Sequence, residues 1–174
     1  MATPKLDLSR LSLKDALDLA TLIEEEAHER YLELADQMDK HRTPGAAQFF
    51  RFMAENEAKH GAALSAQRRA RFGDAPREVT RAMLFDVEAP EYDAARAFMT
   101  AREALGVALR CEEKAYAFFA EALAYVNDPQ VKTLFDELGA EEVSHQDMVR
   151  RELAHLPPGE ERNGEAFVDD PNPQ

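Results

Sequence analysis

The sequence predicts an all-α protein, a four-helix bundle made of two repeated helical hairpins with one crossover connection. Three observations carry this reading. The 174 residues are rich in Ala, Glu and Leu, with 45% hydrophobic and 32% charged residues, 8% aromatics and no Trp. That mix favours helix. Four long segments space their apolar residues alternately by three and four, the period of one helix face. The second half of the chain also echoes the first. Glu24–Tyr31 aligns with Glu112–Phe119, and Phe50–His60 aligns with Phe135–His145.

The first helix is expected over about residues 12–40, where Ser12 and Asp15 resemble a capping arrangement. Thr43-Pro44 opens the second, a cap residue followed by Pro at the first helical position. It should run over about 44–71, and Gly73 stops it. Residues 73–91 form a connection holding Pro76 and Pro90, with a short helix expected near Arg77–Phe85. The third helix is expected over about 92–126, from Tyr92 to Val126, with Asn127 ending it. Asp128-Pro129 opens the fourth, over about 129–155, which stops before Pro157-Pro158-Gly159. The short links after the first and third helices imply antiparallel hairpins, and the long link between them implies a crossover. Residues 1–156 thus read as one bundle, and 157–174 as a polar flexible tail.

The formal net charge is -13. Such an acidic surface repels nucleic acid and anionic membranes, so neither is an expected partner. No stretch approaches ~18 uninterrupted apolar residues, so no membrane span is expected. The N-terminus Met1-Ala-Thr-Pro-Lys lacks the pattern of a signal peptide. The single cysteine, Cys111, cannot form an internal disulfide or a four-Cys metal site. It reads as a buried structural thiol, and a cytoplasmic setting is the expectation. His41 and His155 fall near helix ends, where capping explains them.

The apolar stripes carry the functional signal. In the first helix the stripe is Leu13, Leu17, Ala20, Glu24, Ala27, Tyr31, Leu34 and Met38; in the second it is Phe50, Met53, Glu57, His60 and Leu64. The third reads Phe98, Ala101, Leu105, Ala108, Glu112, Ala115, Phe119, Ala122 and Val126; the fourth reads Val131, Phe135, Leu138, Glu142, His145 and Val149. Each is apolar except at its middle. Burying four carboxylates costs several kcal/mol apiece, and they repel one another. No Lys or Arg occupies these stretches. Two divalent cations would balance four carboxylates beside two neutral imidazoles. Glu-x-x-His places two ligands on one helix face, and two such pairs plus two single glutamates form the two-metal carboxylate pattern. Carboxylate with imidazole suits iron or manganese and tolerates zinc. A lone Glu-x-x-His is usually a solvated pair. Glu25 and His28 sit off the stripe and read as exposed, as do Glu26, Glu29 and Glu113.

These motifs resemble the ferritin-like di-iron superfamily, in its rubrerythrin branch. The resemblance rests on Glu24-x6-Tyr31, Glu57-x-x-His60, Glu112-x6-Phe119 and Glu142-x-x-His145, and covers about residues 12–155. It implies two iron ions, with Glu24 and Glu112 as terminal ligands, Glu57 and Glu142 as bridges, and His60 and His145 completing one metal each. Tyr31 resembles the family tyrosine near the site, which hydrogen-bonds a carboxylate or quenches radicals. The chain departs from the pattern in several places. It has no rubredoxin-type cysteines, so an external electron donor such as a rubredoxin or a reductase is implied. Ala115 replaces an additional helix-three carboxylate, with Ala27 at the matching helix-one position. Phe119 stands where many relatives have a second tyrosine. Met53 beside Glu57 reads as core filler in preference to a haem ligand between subunits.

The resemblance implies a peroxidase or ferroxidase that reacts with hydrogen peroxide or O2 in oxidative-stress defence and iron homeostasis. The alternative is an iron-binding or storage module. The absence of a clear fifth helix favours a homodimer over a shell.

Overall fold

The computed structural model describes residues 7–83 and 100–157. Helix α1 spans Leu13–Lys40, α2 Pro44–Phe72, α3 Ala101–Ala122 and α4 Pro129–His155, with short 3-10 turns at Leu8–Arg10 and Arg81–Met83. No strand occurs among the described residues. The expected tail over 158–174 lies outside them.

Local chemistry sets these ends. The Ser12 hydroxyl accepts from the Asp15 N–H at 3.2 Å and donates to the Asp15 carboxylate, starting α1. Pro44 starts α2, although the Thr43 hydroxyl donates to the Met38 carbonyl at 2.9 Å and does not cap it. Gly73 ends α2 at φ 57 and ψ -139, a conformation that favours glycine. Asp128 caps α4 by accepting from the Gln130 N–H at 2.8 Å.

Two expected boundaries are corrected. Helix α3 begins at Ala101, because Thr100 and Glu103 form a reciprocal capping box with Thr100 in extended backbone. The expected start at Tyr92, and Phe98 on its stripe, lie outside the described residues. The same helix ends at Ala122, since the N–H groups of Ala124 and Tyr125 donate three residues back, to Glu121 and Ala122, and tighten the chain into a turn. Val126 stays buried all the same. The helix expected near Arg77–Phe85 is only the 3-10 turn at Arg81–Met83, and residues 84 and 85 lie outside the described set.

Helix α1 packs along α2, and α3 along α4; α1 also meets α3 and α4. Every described residue of the four apolar stripes is buried except His60, which is half-buried. The buried side chains form two clusters. One is built around Leu17, Phe119 and Phe135, the other around Met38, Phe50, Met53 and Leu105. Met53 is fully enclosed in the second, which fits core filler. Cys111 is buried in the same cluster. The charged residues of the stripes belong to neither cluster.

One buried ion pair was not read from the sequence. Arg68 lies one turn beyond Leu64 on α2 and donates to the fully buried Asp18 of α1 at 2.9 and 3.3 Å. It also donates to the Gly73 and Ala75 carbonyls. This pair ties α1 to the C-terminal end of α2. It lies roughly three turns along α2 from Glu57, too far to neutralise the central carboxylates.

Candidate metal centre

Each central residue sits in mid-helix, with its backbone fixed by helical hydrogen bonds. Glu24 comes from α1, Glu57 and His60 from α2, Glu112 from α3, and Glu142 and His145 from α4. The bundle brings all six together. Glu24, Glu57, Glu112, Glu142 and His145 are at most 5% exposed.

The two imidazoles organise the layer. Their rings stack at 5.3 Å with 5° between planes. Nδ1 of His145 lies 3.2 Å from Glu57 Oε1, 3.3 Å from Glu112 Oε2 and 3.8 Å from Glu142 Oε2. Nδ1 of His60 lies 3.9 Å from Glu24 Oε2 and 4.0 Å from Glu57 Oε2. Glu57 therefore reaches toward both imidazoles, one oxygen to each. Both Nδ1 atoms are shielded from solvent, and neither has an aligned hydrogen-bond partner. Glutamate and histidine atoms here form three overlapping groups of metal-binding reach: Glu57–His60–His145, Glu112–Glu142–His145 and Glu24–His60–Glu141.

The electrostatics agree with a site short of positive charge. Burial pushes the Glu24 carboxyl up to about 7, with Glu141 and Glu112 adding to the rise. Burial, then the Glu112 carboxylate, pushes Glu142 well above the usual range. Burial also raises Glu112, but the adjacent His145 imidazole, the Glu142 carboxyl and the Tyr31 hydroxyl outweigh it and hold this carboxyl low. Burial lowers His60. His145 is raised because Glu112 outweighs the effect of burial. Among the described residues, no lysine or arginine pairs with Glu24, Glu112 or Glu142.

The structure places two further residues at this layer. Tyr31 is buried, and its hydroxyl donates to Glu112 Oε1. Glu141, next to Glu142 on α4, brings Oε2 to 3.7 Å from His60 Nδ1. Sequence reasoning passed over Glu141 because it lies off the apolar stripe. The signal available was the doubled acid Glu141-Glu142 ahead of His145. Ala27 and Ala115 are buried and supply no ligand. Phe119 packs against Phe135 at 5.4 Å, inside the first apolar cluster.

The off-stripe residues need one correction. Glu25, Glu26 and His28 are half-buried, not exposed, whereas Glu29 and Glu113 are exposed. Arg81 donates to Glu29 at 2.7 and 2.8 Å, and Arg77 lies 3.6 Å from Glu25, so side chains of the α2–α3 connection cover this part of α1. The His28 ring faces the Ala54 carbonyl at 2.8 Å. A cavity of about 250 Å³ opens between α1 and α2, with Glu24, Glu57, His28 and Gly61 on its wall.

A family model described as rubrerythrin matches residues 15–153. The chain belongs to the rubrerythrin family. It is also similar to the crystal structure of an uncharacterized conserved protein from Magnetospirillum magnetotacticum MS-1. The two are 30% identical, with a TM-score of 0.69 over 86% of this chain and 98% of that one. No curated protein matches.

Rubrerythrin-family bundles are ferritin-like, and membership suggests a di-iron protein. The residues present fit that cofactor. Four carboxylates and two imidazoles are borderline-to-hard donors suited to iron. The two shielded Nδ1 atoms aimed among carboxylates are the buried polar atoms such ions would satisfy. No helix among the described residues is long and apolar enough to cross a membrane.

Proposed function

We propose that Glu24, Glu57, His60, Glu112, Glu142 and His145 hold two iron ions, and that the protein reduces hydrogen peroxide or O2. The observation that carries this reading is Glu57, whose two oxygens reach 3.2 and 4.0 Å from the imidazoles of opposite hairpins. A carboxylate so placed would serve as a ligand to both of two neighbouring cations. Glu142 occupies the matching place in the repeat, and Glu24 and Glu112 flank the pair. Manganese and zinc are alternative occupants.

Two ferrous ions would supply one electron each to the oxidant, and peroxide with two electrons and two protons gives two waters. The chain's residues prepare the site for this. Glu24 and Glu142, whose carboxyls favour the protonated form, release protons when cations bind. Tyr31 orients Glu112 by donating to Oε1, leaving Oε2 beside His145. The two apolar clusters restrict water around the layer. The cavity of about 250 Å³ reaches Glu24 and Glu57 but is smaller than typical organic-ligand sites of roughly 300–1,000 Å³, which favours a small oxidant. An external donor, a rubredoxin or a reductase, would re-reduce the centre. A homodimer is the expected assembly.

The test is anaerobic loading with two Fe(II) per chain, followed by stopped-flow mixing with H2O2 or O2. Much faster oxidation by peroxide supports a peroxidase. Preference for O2 with iron turnover supports a ferroxidase that feeds storage. Oxidation by neither sinks the proposal.

A further inference from the structure

The two halves of the central layer are not equivalent. The repeat pairs Glu57 with Glu142 and His60 with His145, so the residue of α2 corresponding to Glu141 of α4 is Asn56. One half therefore has an additional carboxylate that the other lacks. Glu141 sits beside His60, 3.7 Å from its Nδ1, and with Glu24 completes a third group of metal-binding reach. This group grades from inside to outside. The side chain of Glu24 is 4% exposed, that of His60 is 30% and that of Glu141 is 46%. On the other side the His145 side chain is 4% exposed, with Glu57, Glu112 and Glu142 closed around it.

A second observation points to a ligand. The Nδ1 atom of His60 is shielded from solvent and lacks a hydrogen-bond partner, although three carboxylates lie within 4.0 Å. A cation held jointly with Glu24 and Glu141 would satisfy this imidazole nitrogen.

We infer that Glu141 is a transfer ligand, which passes divalent cations between solvent and the His60 side of the centre through the Glu24–His60–Glu141 group. The inference rests on the two-metal reading and adds an order of events to it. The His60 position exchanges quickly through Glu141, while the His145 position, lacking such a partner, exchanges slowly. A half-exposed carboxylate suits this role. It can bind a partly hydrated ion at the surface and then rotate inward, whereas a fully buried ligand would have to wait for the helices to part.

The experiment uses the full chain and Co(II), a redox-inert probe whose visible absorption reports binding. Wild-type protein should take up two Co(II) and release them to excess EDTA in two phases, fast and slow. Glu141→Gln should slow both loading and the fast release phase by about ten-fold, leave the slow phase alone and change the equilibrium affinity little. Glu141→Asp keeps the charge but shortens the reach, so it should slow the fast phase as well. Asn56→Ala should behave as wild type. Circular dichroism confirms folding, which is expected for an exposed position. Faster release with weakened affinity in Glu141→Gln would make Glu141 an ordinary resident ligand and overturn the inference. So would wild-type kinetics in that variant, or wild-type kinetics in Glu141→Asp, which would reduce Glu141 to charge steering. Two-Co(II) binding with any of these results leaves the two-metal reading standing, whereas no Co(II) uptake by wild type overturns both.

Discussion

The Tyr31 hydroxyl on α1 donates a hydrogen bond to the Glu112 carboxylate on α3, joining the two hairpins across the central layer. Tyr31 is 2% exposed, so no water replaces this donor if it is lost. Hydrogen bonds to buried charged groups contribute about 1.5–3 kcal/mol. Tyr31→Phe should therefore destabilise metal-free protein by about 2 kcal/mol in urea unfolding at neutral pH. It should also weaken one of the two Co(II) sites by about ten-fold, because Glu112 loses the group that orients it. Equal affinities in wild type and variant would show that Tyr31 only packs.

The pH dependence of stability should invert with metal content. Without metal, the Glu24 carboxyl titrates near 7, above its usual 4.5, because of burial. The folded state then holds a proton that the unfolded state has lost, so stability falls as pH rises from about 4.5 to 7. The cost of ionising Glu24 in the fold is on the order of 3 kcal/mol. Glu142, raised by burial and by the Glu112 carboxylate, acts in the same direction above its usual 4.5. His145, raised by Glu112, acts in the same direction as pH climbs past its usual 6.5. His60, lowered by burial, works the other way below 6.5. Glu112, held low, contributes stability that is lost only in stronger acid. The net expectation is a Tm of metal-free protein that drops as pH rises from about 4.5 to 7. Metal-loaded protein should gain stability over the same range, since cations bind the deprotonated ligands. Glu142→Gln should flatten the metal-free curve while removing the metal-dependent gain. Parallel curves for the two forms would contradict this account.

The central layer was legible in the sequence for a specific reason. A charged residue on an apolar stripe is a local conflict, and four such conflicts at matching depth admit few resolutions. The helix starts at Ser12, Pro44 and Pro129 were equally plain, because caps and N-terminal prolines are local chemistry. Two kinds of feature were not. The start of α3 lies in the Thr100-x-x-Glu103 box, but Phe98 and Ala101 continue the apolar period across it, so period alone does not mark the boundary. Glu141 and Arg68 acquire meaning only from partners in other helices, His60 and Asp18, and no spacing along one helix encodes those pairings. The half-burial of Glu25, Glu26 and His28 likewise depends on neighbours such as Arg77, Arg81 and Ala54, which sequence period does not place.

The Asp18–Arg68 pair predicts a large stability effect outside the central carboxylate layer. Asp18 is fully buried and Arg68 is 8% exposed. Arg68→Ala would leave a buried carboxylate short of its main partner, a change that usually costs 3–5 kcal/mol. Arg77 at 3.5 Å and Lys14 at 3.8 Å from Asp18 offset part of this. The expected loss is thus about 3 kcal/mol in urea unfolding, with Co(II) stoichiometry unchanged. The double variant Asp18→Leu with Arg68→Met should recover most of it, because no charge then remains unpaired. A loss below about 1 kcal/mol in Arg68→Ala would mean that Arg77 and Lys14 suffice alone.

The turn between α1 and α2 offers a change in the opposite direction. The N–H of Thr43 donates to the Met38 carbonyl at 2.9 Å, and that of Arg42 to the Asp39 carbonyl at 3.0 Å. These are the two bonds of a Schellman ending, which needs a left-handed residue after the helix cap. Arg42 fills that position at φ 57, where a side chain crowds the backbone. Arg42→Gly removes the crowding, although the unfolded chain gains freedom that offsets part of the benefit. The expected net gain is about 1 kcal/mol, read as a higher urea midpoint with an unchanged slope. Arg42→Val, β-branched and worse suited to positive φ, should lose stability by a similar amount. If Gly and Val variants unfolded at the same urea concentration, the left-handed backbone at Arg42 would carry no strain, and the turn would owe its shape to the Thr43–Met38 contacts alone.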